Sequence, residues 1–429
     1  MKRLFITLSF ILALACIPFA RVAGGAAGNV DGTTAVTEVR TAGHPSSNKE
    51  NYTVIVSLDA FRWDYPQIHH TPCLNKMARE GVQAVMLPSY PASTFPNHYT
   101  LATGLVPDHN GIVNNTFWDT ANHRTYSMGD SLTRNNPDYY LGEPIWITAQ
   151  KQGVKTGNVY WVGSDIPMKG GLPTYHKVWA DTPRLTFQQR VDEVVRLLSL
   201  PEDERPRLVM AYFEEPDHSG HVYGPRGAET GKMVVRLDSL IGQLWQRIQT
   251  VPVAGRVNLI VTADHGMTEV SDERFICVDD YVKPEWCEKV VASSPTSIFT
   301  KEGCRDSVLL ALKGVEHIYA WKKEEVPAEL MYGHSDRLGD VIVAPELGWQ
   351  FADKPRHLKG AHGYFPQSPD MQVMFRACGP DFKKGYEAAA FINTDIYALL
   401  SHLLGIVPEP TDGRWERVKD MLQWQESRM

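Results

Sequence analysis

The sequence VIVSLD at residues 54–59 decides the fold, because five residues typical of a buried strand lead directly into an acid. Two further runs repeat this arrangement: the strand-like segment 207–213 is followed by Asp217, and the segment 257–262 is followed by Asp264. Ligands of open α/β sheets bind just outside the carboxyl ends of the strands. We therefore expect the three acids to gather at one edge of a sheet, where they would repel one another unless cations neutralised them.

Helical periodicity separates and follows these strands. Apolar residues keep helical spacing over 187–198 and 233–248, and a last helix is predicted over 394–404, ending at Gly405. Strands that alternate with helices predict an α/β fold with a mainly parallel central sheet covered by helices on both faces. The 429 residues fit one large domain of this kind with insertions.

Histidines stand at ligand spacing beside two of the acids. His221 follows Asp217 by four residues, His265 follows Asp264 directly, and His362 lies between two glycines. A single acid after a strand is usually a helix cap or turn residue, and a single histidine is usually a satisfied surface or core residue. Their coincidence in one chain favours metal binding instead, since zinc accepts both carboxylate and imidazole ligands.

A candidate nucleophile lies in the segment PSYPASTFPNH at residues 88–98. Pro96 suits the first turn of a helix, which would place Thr94 at the N-cap. The Thr94 hydroxyl and the Phe95 amide would then face an anion at the positive helix end. A threonine in this position is otherwise only a cap, and its hydroxyl is a poor nucleophile unless a base or a metal activates it.

The N-terminus is predicted to direct export. Residues 1–20 combine a basic start with a short apolar run, as in a cleaved signal peptide, and Cys16 offers the alternative of a lipoprotein anchor. Residues 21–50 read as a flexible tether, which leaves 51–429 as the catalytic domain. The expected location is periplasmic or secreted, with membrane attachment only through an acylated Cys16.

The charge balance excludes one class of partner. Removing residues 1–20 takes away two basic residues and no acid, so the formal net charge moves from -7 to -9. Proteins that track nucleic-acid polymers carry basic stripes, so no nucleic-acid partner is expected, whereas a small phosphate compound can bind through metal ions. Of the five cysteines after residue 20, Cys277 and Cys287 are the closest pair in sequence and the simplest disulfide to expect.

Taken together, these motifs closely resemble the nucleotide pyrophosphatase/phosphodiesterase family of the alkaline phosphatase superfamily. The resemblance spans about residues 51–410. The segments that carry it are, in order, VSLD at 56–59, TFPNH at 94–98, PDHNGI at 107–112, NN at 114–115, EPDHSGH at 215–221, TADHGM at 262–267 and GAHG at 360–363.

The resemblance implies an alkaline phosphatase-like fold, two zinc ions per chain and a role for each matched residue. One zinc would be held by Asp217, His221 and His362. The second would be held by Asp59, Asp264 and His265, with Thr94 bridging metal and substrate. Asn115 and the Phe95 amide would donate to phosphate oxygens. Phe95, Tyr175 and Tyr212 would enclose a nucleobase.

The activity implied is hydrolysis of phosphodiester and pyrophosphate bonds in small nucleotides, releasing nucleoside 5'-monophosphates. Thr94 would attack phosphorus in line between the two metals, giving a phosphothreonine that water then cleaves. The alternative is a phosphodiesterase or phosphomonoesterase of the same superfamily that acts on a non-nucleotide phosphate ester, such as that of a lipid head-group or choline. A phosphomonoesterase is disfavoured because no Lys or Arg adjoins Thr94 or Asn115 in sequence, and a sulfatase because its Cys or Ser nucleophile is absent. A non-catalytic binding module is disfavoured because every implied ligand is present.

Overall fold

A computed structural model describes residues 51–423 of the chain. The predicted signal peptide at 1–20, the tether at 21–50 and the lipidation candidate Cys16 lie outside the described residues, as do residues 424–429.

The helices and strands alternate along the described part of the chain. The helices are α1 Tyr65–Ile68, α2 Pro72–Glu80, α3 Thr94–Thr103, α4 Pro107–Asn110, α5 Ser131–Arg134, α6 Ile145–Lys151, α7 Phe187–Leu198, α8 Asp217–Tyr223, α9 Ala228–Ile248, α10 Arg305–Leu312 and α11 Asp395–Leu404. The strands are β1 Tyr52–Leu58, β2 Val82–Leu87, β3 Thr116–Asp119, β4 Arg124–Ser127, β5 Thr156–Val159, β6 Tyr175–Lys177, β7 Leu208–Phe213, β8 Val257–Thr262, β9 Thr268–Glu269, β10 Phe275–Ile276, β11 Cys287–Val291, β12 Thr296–Thr300, β13 Ile318–Lys322, β14 Val341–Pro345, β15 Gln350–Phe351, β16 Gly360–Ala361, β17 Val373–Cys378, β18 Tyr386–Glu387 and β19 Phe391–Ile392.

The central sheet is mainly parallel, as predicted. Its order is β18-β2-β17-β8-β1-β7-β5-β6, with β19 also pairing with β2. Among the described strands of this sheet, β17 runs against its neighbours β2 and β8, and the other pairings are parallel. Strand β1 lies between β7 and β8, so the three segments that precede the acids are neighbours.

Helices cover both faces of this sheet. Every residue of β1, β7 and β8 is buried, which requires apolar material on either side of the strands. The helices form two packed groups, α2 with α7 and α9, and α3 with α6 and α11. The predicted α/β class is therefore confirmed.

The predicted helices are also confirmed. The spacing that predicted helices over 187–198 and 233–248 corresponds to α7 and to most of α9, and the last helix is α11. Gly405 ends α11 in the left-handed region at a φ of 65°, where a residue without a Cβ is favoured.

An inserted subdomain interrupts the sheet between β8 and β17. It contains the antiparallel sheet β11-β12-β14-β13 and helix α10. Residues such as Ile298, Val308 and Val341 give it a hydrophobic core of its own. One of its loops, at residues 293–295, contacts the main domain, where Asn114 Nδ2 donates to Ser293 Oγ at 2.7 Å.

The five cysteines of the described part are unpaired, so the expected Cys277–Cys287 disulfide is not formed. Cys277 precedes a short 3-10 turn, whereas Cys287 begins β11. The close neighbour of Cys287 is Cys304, which adds to the effect of burial in raising the pKa of the Cys287 thiol. Proximity in sequence did not translate into proximity of the two thiols.

Within residues 51–423, no helix combines the length and the apolar character that crossing a membrane requires.

Helix α2 is fixed to α9 by a buried carboxylate. Asp238 of α9 is 1% exposed and accepts hydrogen bonds from the backbone amides of Cys73 and Leu74, at 3.2 and 2.8 Å. Asp238→Ala leaves both amides without this acceptor, so we expect the free energy of unfolding to fall by about 1–3 kcal/mol. Ser239→Ala, an exposed neighbour on the same helix, is the control and should change stability little. Equal denaturation midpoints for both variants in urea would contradict this role.

Candidate metal centre and active site

The three predicted acids meet at one edge of the central sheet. Asp59 directly follows β1, Asp264 follows β8 after one residue, and Asp217 begins α8 beyond the end of β7. The register aligns Leu58 with Phe213 and Ser57 with Thr262, which brings the carboxyl ends of the strands to one level. This is the edge at which ligands of such sheets bind.

The first candidate metal group is fully buried. It consists of Asp59, Asp264 and His265, whose ligand atoms all lie within 4.8 Å of one another. His265 Nε2 lies 3.4 Å from Asp59 Oδ1 and 3.1 Å from Asp264 Oδ2. Two carboxylates and one imidazole of this geometry can hold a divalent cation.

The second candidate group is partly exposed. It consists of Asp217, His221 and His362, again with ligand atoms within 4.8 Å of one another. The Nε2 atoms of His221 and His362 lie 3.4 and 3.7 Å from Asp217 Oδ1. The rings of His362 and His265 stack with centroids 3.8 Å apart, so the two groups adjoin.

Backbone carbonyls fix the tautomer of all three histidines. The Nδ1 atoms of His221, His265 and His362 lie 2.7, 2.8 and 3.0 Å from carbonyl oxygens of Gly360, Gly266 and Ala92. A carbonyl can only accept a hydrogen bond, so each Nδ1 must carry the proton. Each Nε2 then presents a lone pair toward the acids, as a metal ligand requires.

The carboxylates themselves need a cation. Asp59 Oδ1, Asp217 Oδ1 and Asp264 Oδ2 are buried oxygens without a hydrogen-bond partner in the described part of the chain. Burial raises the pKa of Asp59 well above its ordinary value, and the charges of Asp264 and Asp217 raise it further. Burial also lowers the pKa of His362, with His265 and His221 acting in the same direction. Two divalent cations would remove both penalties, so the donor set fits them.

Thr94 points into the buried group. Its Oγ1 lies 3.1 Å from His265 Nε2, and the residue is 7% exposed. Thr94 is the first residue of α3, with Ser93 as the N-cap, so the predicted cap position was one residue late. Because Ser93 occupies the N-cap position, the Thr94 hydroxyl does not cap the helix and is directed at the cluster.

His98 is a site residue that the sequence did not single out. It is fully buried and its Nδ1 donates to the Thr94 carbonyl at 3.0 Å, while its Nε2 accepts from Ser57 Oγ at 2.9 Å. Its Nδ1 also lies 3.3 Å from Asp264 Oδ2. His98 therefore joins the first turn of α3 to β1 and to a candidate metal ligand. Its spacing of four residues from Thr94 was the available signal.

Asn115 and Phe95 act as a pair. The Phe95 amide donates to Asn115 Oδ1 at 2.9 Å, which orients the side chain and leaves Nδ2 as the free donor. Asn114 fixes the backbone beside Asn115, because its Oδ1 accepts a hydrogen bond from the Asn115 amide. Its Nδ2 donates to Ser293 Oγ of the inserted subdomain. The Phe95 amide, expected to face substrate, is thus occupied in orienting Asn115.

A cavity of about 390 Å³ opens beside Thr94, and its lining includes five Phe, Tyr and Trp side chains. Phe95, Tyr212 and Trp179 are among its lining residues. The Trp179 and Tyr212 ring centroids lie 5.9 Å apart, and the Tyr212 hydroxyl donates to Asp59 Oδ2 at 2.5 Å. Arg134 lines the same cavity, so a cation does lie in this space although none adjoins Thr94 in sequence.

Tyr175 does not belong to this cavity, which corrects the sequence prediction. It begins β6, and its hydroxyl donates to the Glu204 carbonyl at 3.0 Å. The parallel register through β5 and β7 places it level with Val54, five residues before Asp59 and so about 16 Å from the functional edge at ~3.3 Å per residue. Trp179, two residues beyond β6, supplies the aromatic ring instead.

A second cavity, of about 240 Å³, lies on the other side of the cluster. Its lining is more polar and includes Asn115, His221, His362, Ser293 and Arg356. The two cavities therefore flank the metal groups with different chemistry, one aromatic and one polar.

Sequence comparison identifies related proteins. Residues 53–365 match the type I phosphodiesterase / nucleotide pyrophosphatase family. Ectonucleotide pyrophosphatase/phosphodiesterase family member 1 of Homo sapiens is 34% identical over 392 residues, covering 86% of this chain but only 42% of the relative. The bis(5'-adenosyl)-triphosphatase of Bos taurus is 33% identical over 394 residues, covering 89% of this chain and 84% of the relative.

Structural comparison agrees with the sequence comparison. An inactive threonine-to-alanine variant of murine ectonucleotide pyrophosphatase/phosphodiesterase 5, in complex with AMP, superposes with a TM-score of 0.82. Its sequence is 32% identical, and the match covers 87% of this chain and 100% of the murine chain.

Because the two candidate groups share no ligand, we expect a cation to be lost from one group without loss from the other. His362→Ala removes a ligand from the partly exposed group and leaves the buried group intact, so we expect metal content after dialysis to fall from about two ions to about one per chain. Elemental analysis of the purified protein measures this directly. His70→Ala, at an exposed histidine outside both groups, should keep the wild-type content. Equal metal content in the two variants would contradict the assignment of His362.

Proposed function

This chain belongs to the type I phosphodiesterase / nucleotide pyrophosphatase family, and from that premise we propose that it is a two-zinc nucleotide phosphodiesterase. In this proposal it cleaves phosphodiester and pyrophosphate bonds of small nucleotides and releases nucleoside 5'-monophosphates through a phosphothreonine at Thr94. The observation that carries the proposal is the Thr94 hydroxyl, 3.1 Å from His265 within the acid–histidine cluster and beside an aromatic cavity.

The choice of zinc rests on the donor set. Each group offers carboxylate and neutral imidazole donors, and zinc accepts both, whereas magnesium and calcium prefer oxygen ligands alone. When bound, the ions lower the pKa of the Thr94 hydroxyl and offset charge on the phosphoryl oxygens. Asp59 and Asp217 then bear full charge at neutral pH without the penalty that burial otherwise imposes.

The remaining groups position the phosphate. The first turn of α3 holds Thr94 in place through the His98 contact with its carbonyl. Asn115 Nδ2 donates to a phosphoryl oxygen, and removal of one such donor typically costs about 10²–10³-fold in kcat. The Phe95 amide keeps that donor aimed at the cluster by binding Asn115 Oδ1.

The two cavities suit the two substituents of a phosphodiester. The aromatic cavity, with Phe95, Trp179 and Tyr212 in its lining, offers rings on which a nucleobase stacks. The polar cavity, with Arg356 in its lining, accepts the departing phosphate or alcohol. The murine relative crystallised with AMP and the bovine relative named for cleaving a dinucleotide support the nucleotide assignment.

Export is part of the same proposal. Family member 1 carries the prefix ecto in its name, which places it outside the cell. We therefore propose that residues 1–20 direct this chain out of the cytoplasm and that residues 51–429 form the catalytic domain.

Thr94→Ala tests the nucleophile. We expect kcat to fall by at least about 10³-fold, because the attacking oxygen is lost while the metal ligands remain. Thr94→Ser, which keeps a hydroxyl, should retain part of the activity and is the matched control. The measurement is release of nucleoside monophosphate, together with acid trapping of a phosphorylated peptide that contains Thr94. Wild-type turnover in Thr94→Ala would mean that water attacks phosphorus directly.

Trp179→Ala tests the nucleotide assignment. Loss of a stacking ring worth about 1–3 kcal/mol should raise KM for a dinucleotide roughly 5- to 150-fold while leaving a methyl aryl phosphodiester unaffected. Tyr175→Ala is the control and should leave both substrates unchanged, because Tyr175 lies away from the cavity. Faster cleavage of a monoester or of a phosphocholine ester than of any nucleotide diester would overturn the substrate class and leave only the metallohydrolase chemistry.

A further inference from the structure

A third cavity lies at the opposite end of the strands of the central sheet. Its volume is about 330 Å³, and it is lined by Tyr52, Lys155, Arg205, Arg207 and Arg256 together with two acids. Tyr52 begins β1, whereas Asp59 follows its end, so the cavity lies roughly 23 Å from the metal groups at ~3.3 Å per residue. It is therefore separate from the candidate active site.

The arginines of this cavity lack anionic partners. Within residues 51–423, none of the three guanidinium groups forms an ion pair with a carboxylate, although Glu202 and Asp203 line the same cavity. Lys155 instead donates to the Asp203 carbonyl oxygen. Arginine side chains that are this enclosed are normally paired with an acid.

Each guanidinium keeps a buried nitrogen with no hydrogen-bond acceptor in the described part of the chain. These atoms are Nε of Arg205, Nη2 of Arg207 and Nε of Arg256. The other two nitrogens of Arg207, Nε and Nη1, donate to the carbonyl oxygens of Asn51 and Leu404 at 3.2 and 3.1 Å. An unsatisfied buried donor is costly, and more so when it is charged.

Two of the three guanidinium groups lie beside the same aromatic ring. The guanidinium carbons of Arg205 and Arg256 lie 5.6 and 5.2 Å from the Tyr52 ring centroid. Burial lowers the pKa of Arg207, and the charge of Arg256 lowers it further, although Tyr52 and Asp381 act in the opposite direction. The positive charges that line this cavity favour an anion within it.

We propose that this arginine cavity binds a phosphate-type oxyanion carrying two negative charges. Guanidinium groups present paired donors that match phosphate oxygens, and three arginines line a space large enough for a phosphate group with part of its substituent. Four basic side chains and two acids line the cavity, so its net charge is positive although the formal net charge of the chain is negative. Free phosphate and the phosphate of a lipid head-group share this chemistry.

Inorganic phosphate is the first probe, used on the metal-loaded enzyme. Phosphate also binds the catalytic centre as a product analogue, so calorimetry should find two sites on the wild-type chain. Arg207→Gln with Arg256→Gln should retain one site, with phosphate inhibition of diester cleavage changed less than about twofold because the metal centre is distant. The control Arg305→Gln with Lys232→Gln removes two exposed cations elsewhere and should keep both sites. A cavity variant that binds as many phosphate ions as the wild type would overturn the proposal.

A measurement on the unmodified protein guards against a variant that fails to fold. Crystals of the wild type soaked in tungstate, a phosphate analogue, should give an anomalous peak within reach of the three guanidinium groups. An empty cavity beside an occupied metal centre would count against the site, whatever the variant does.

Vesicles separate the two sources of phosphate. The site binds a lipid phosphate if the wild-type protein sediments with phosphatidic acid–phosphatidylcholine vesicles but not with phosphatidylcholine alone. The cavity variant should then lose this binding. Binding of free phosphate without vesicle binding assigns it to a soluble anion. Absence of both would refute the cavity as a phosphate site.

Discussion

The gathering of three carboxylates at one end of the central sheet, two of them buried and the third partly exposed, is the constraint on which the rest of this molecule depends. Asp59, Asp217 and Asp264 stand at the ends of neighbouring segments of one sheet, with oxygens that lack hydrogen-bond partners in the described part of the chain. Desolvated negative charge is expensive unless cations accompany it. Divalent cations bound at these acids would offset this charge, so we expect the free energy of unfolding to rise when such ions bind.

The ligands are held by contacts from distant parts of the chain. The carbonyls of Ala92 and Gly360 orient His362 and His221 across the site, so the two histidine rings need no rearrangement to present Nε2. His98 couples the start of α3 to Ser57 of β1 through buried hydrogen bonds. These supports lie on rigid elements, which is what a nucleophile needs if it is to meet phosphorus in line.

The two cavities beside the acid–histidine cluster differ in the chemical character of their lining residues. Trp179 and Tyr212 line the aromatic side, while the inserted subdomain contributes Ser293 to the polar side. The hydrogen bond from Asn114 to Ser293 links the insertion to the loop that carries Asn115. The inserted subdomain therefore contributes to the site, since it supplies residues to one cavity and contacts the loop that carries Asn115.

The sequence alone determined the sheet, its helices and the acid–histidine sets, because strand runs that end in acids and histidines at fixed spacing are local patterns. It misassigned Tyr175, since the pairing register of a short edge strand depends on neighbours far away in the chain. It likewise missed His98, the occupied Phe95 amide and the arginine cavity. Those features arise where segments separated by many residues meet, and only the packing of the folded chain decides which side chains share a space.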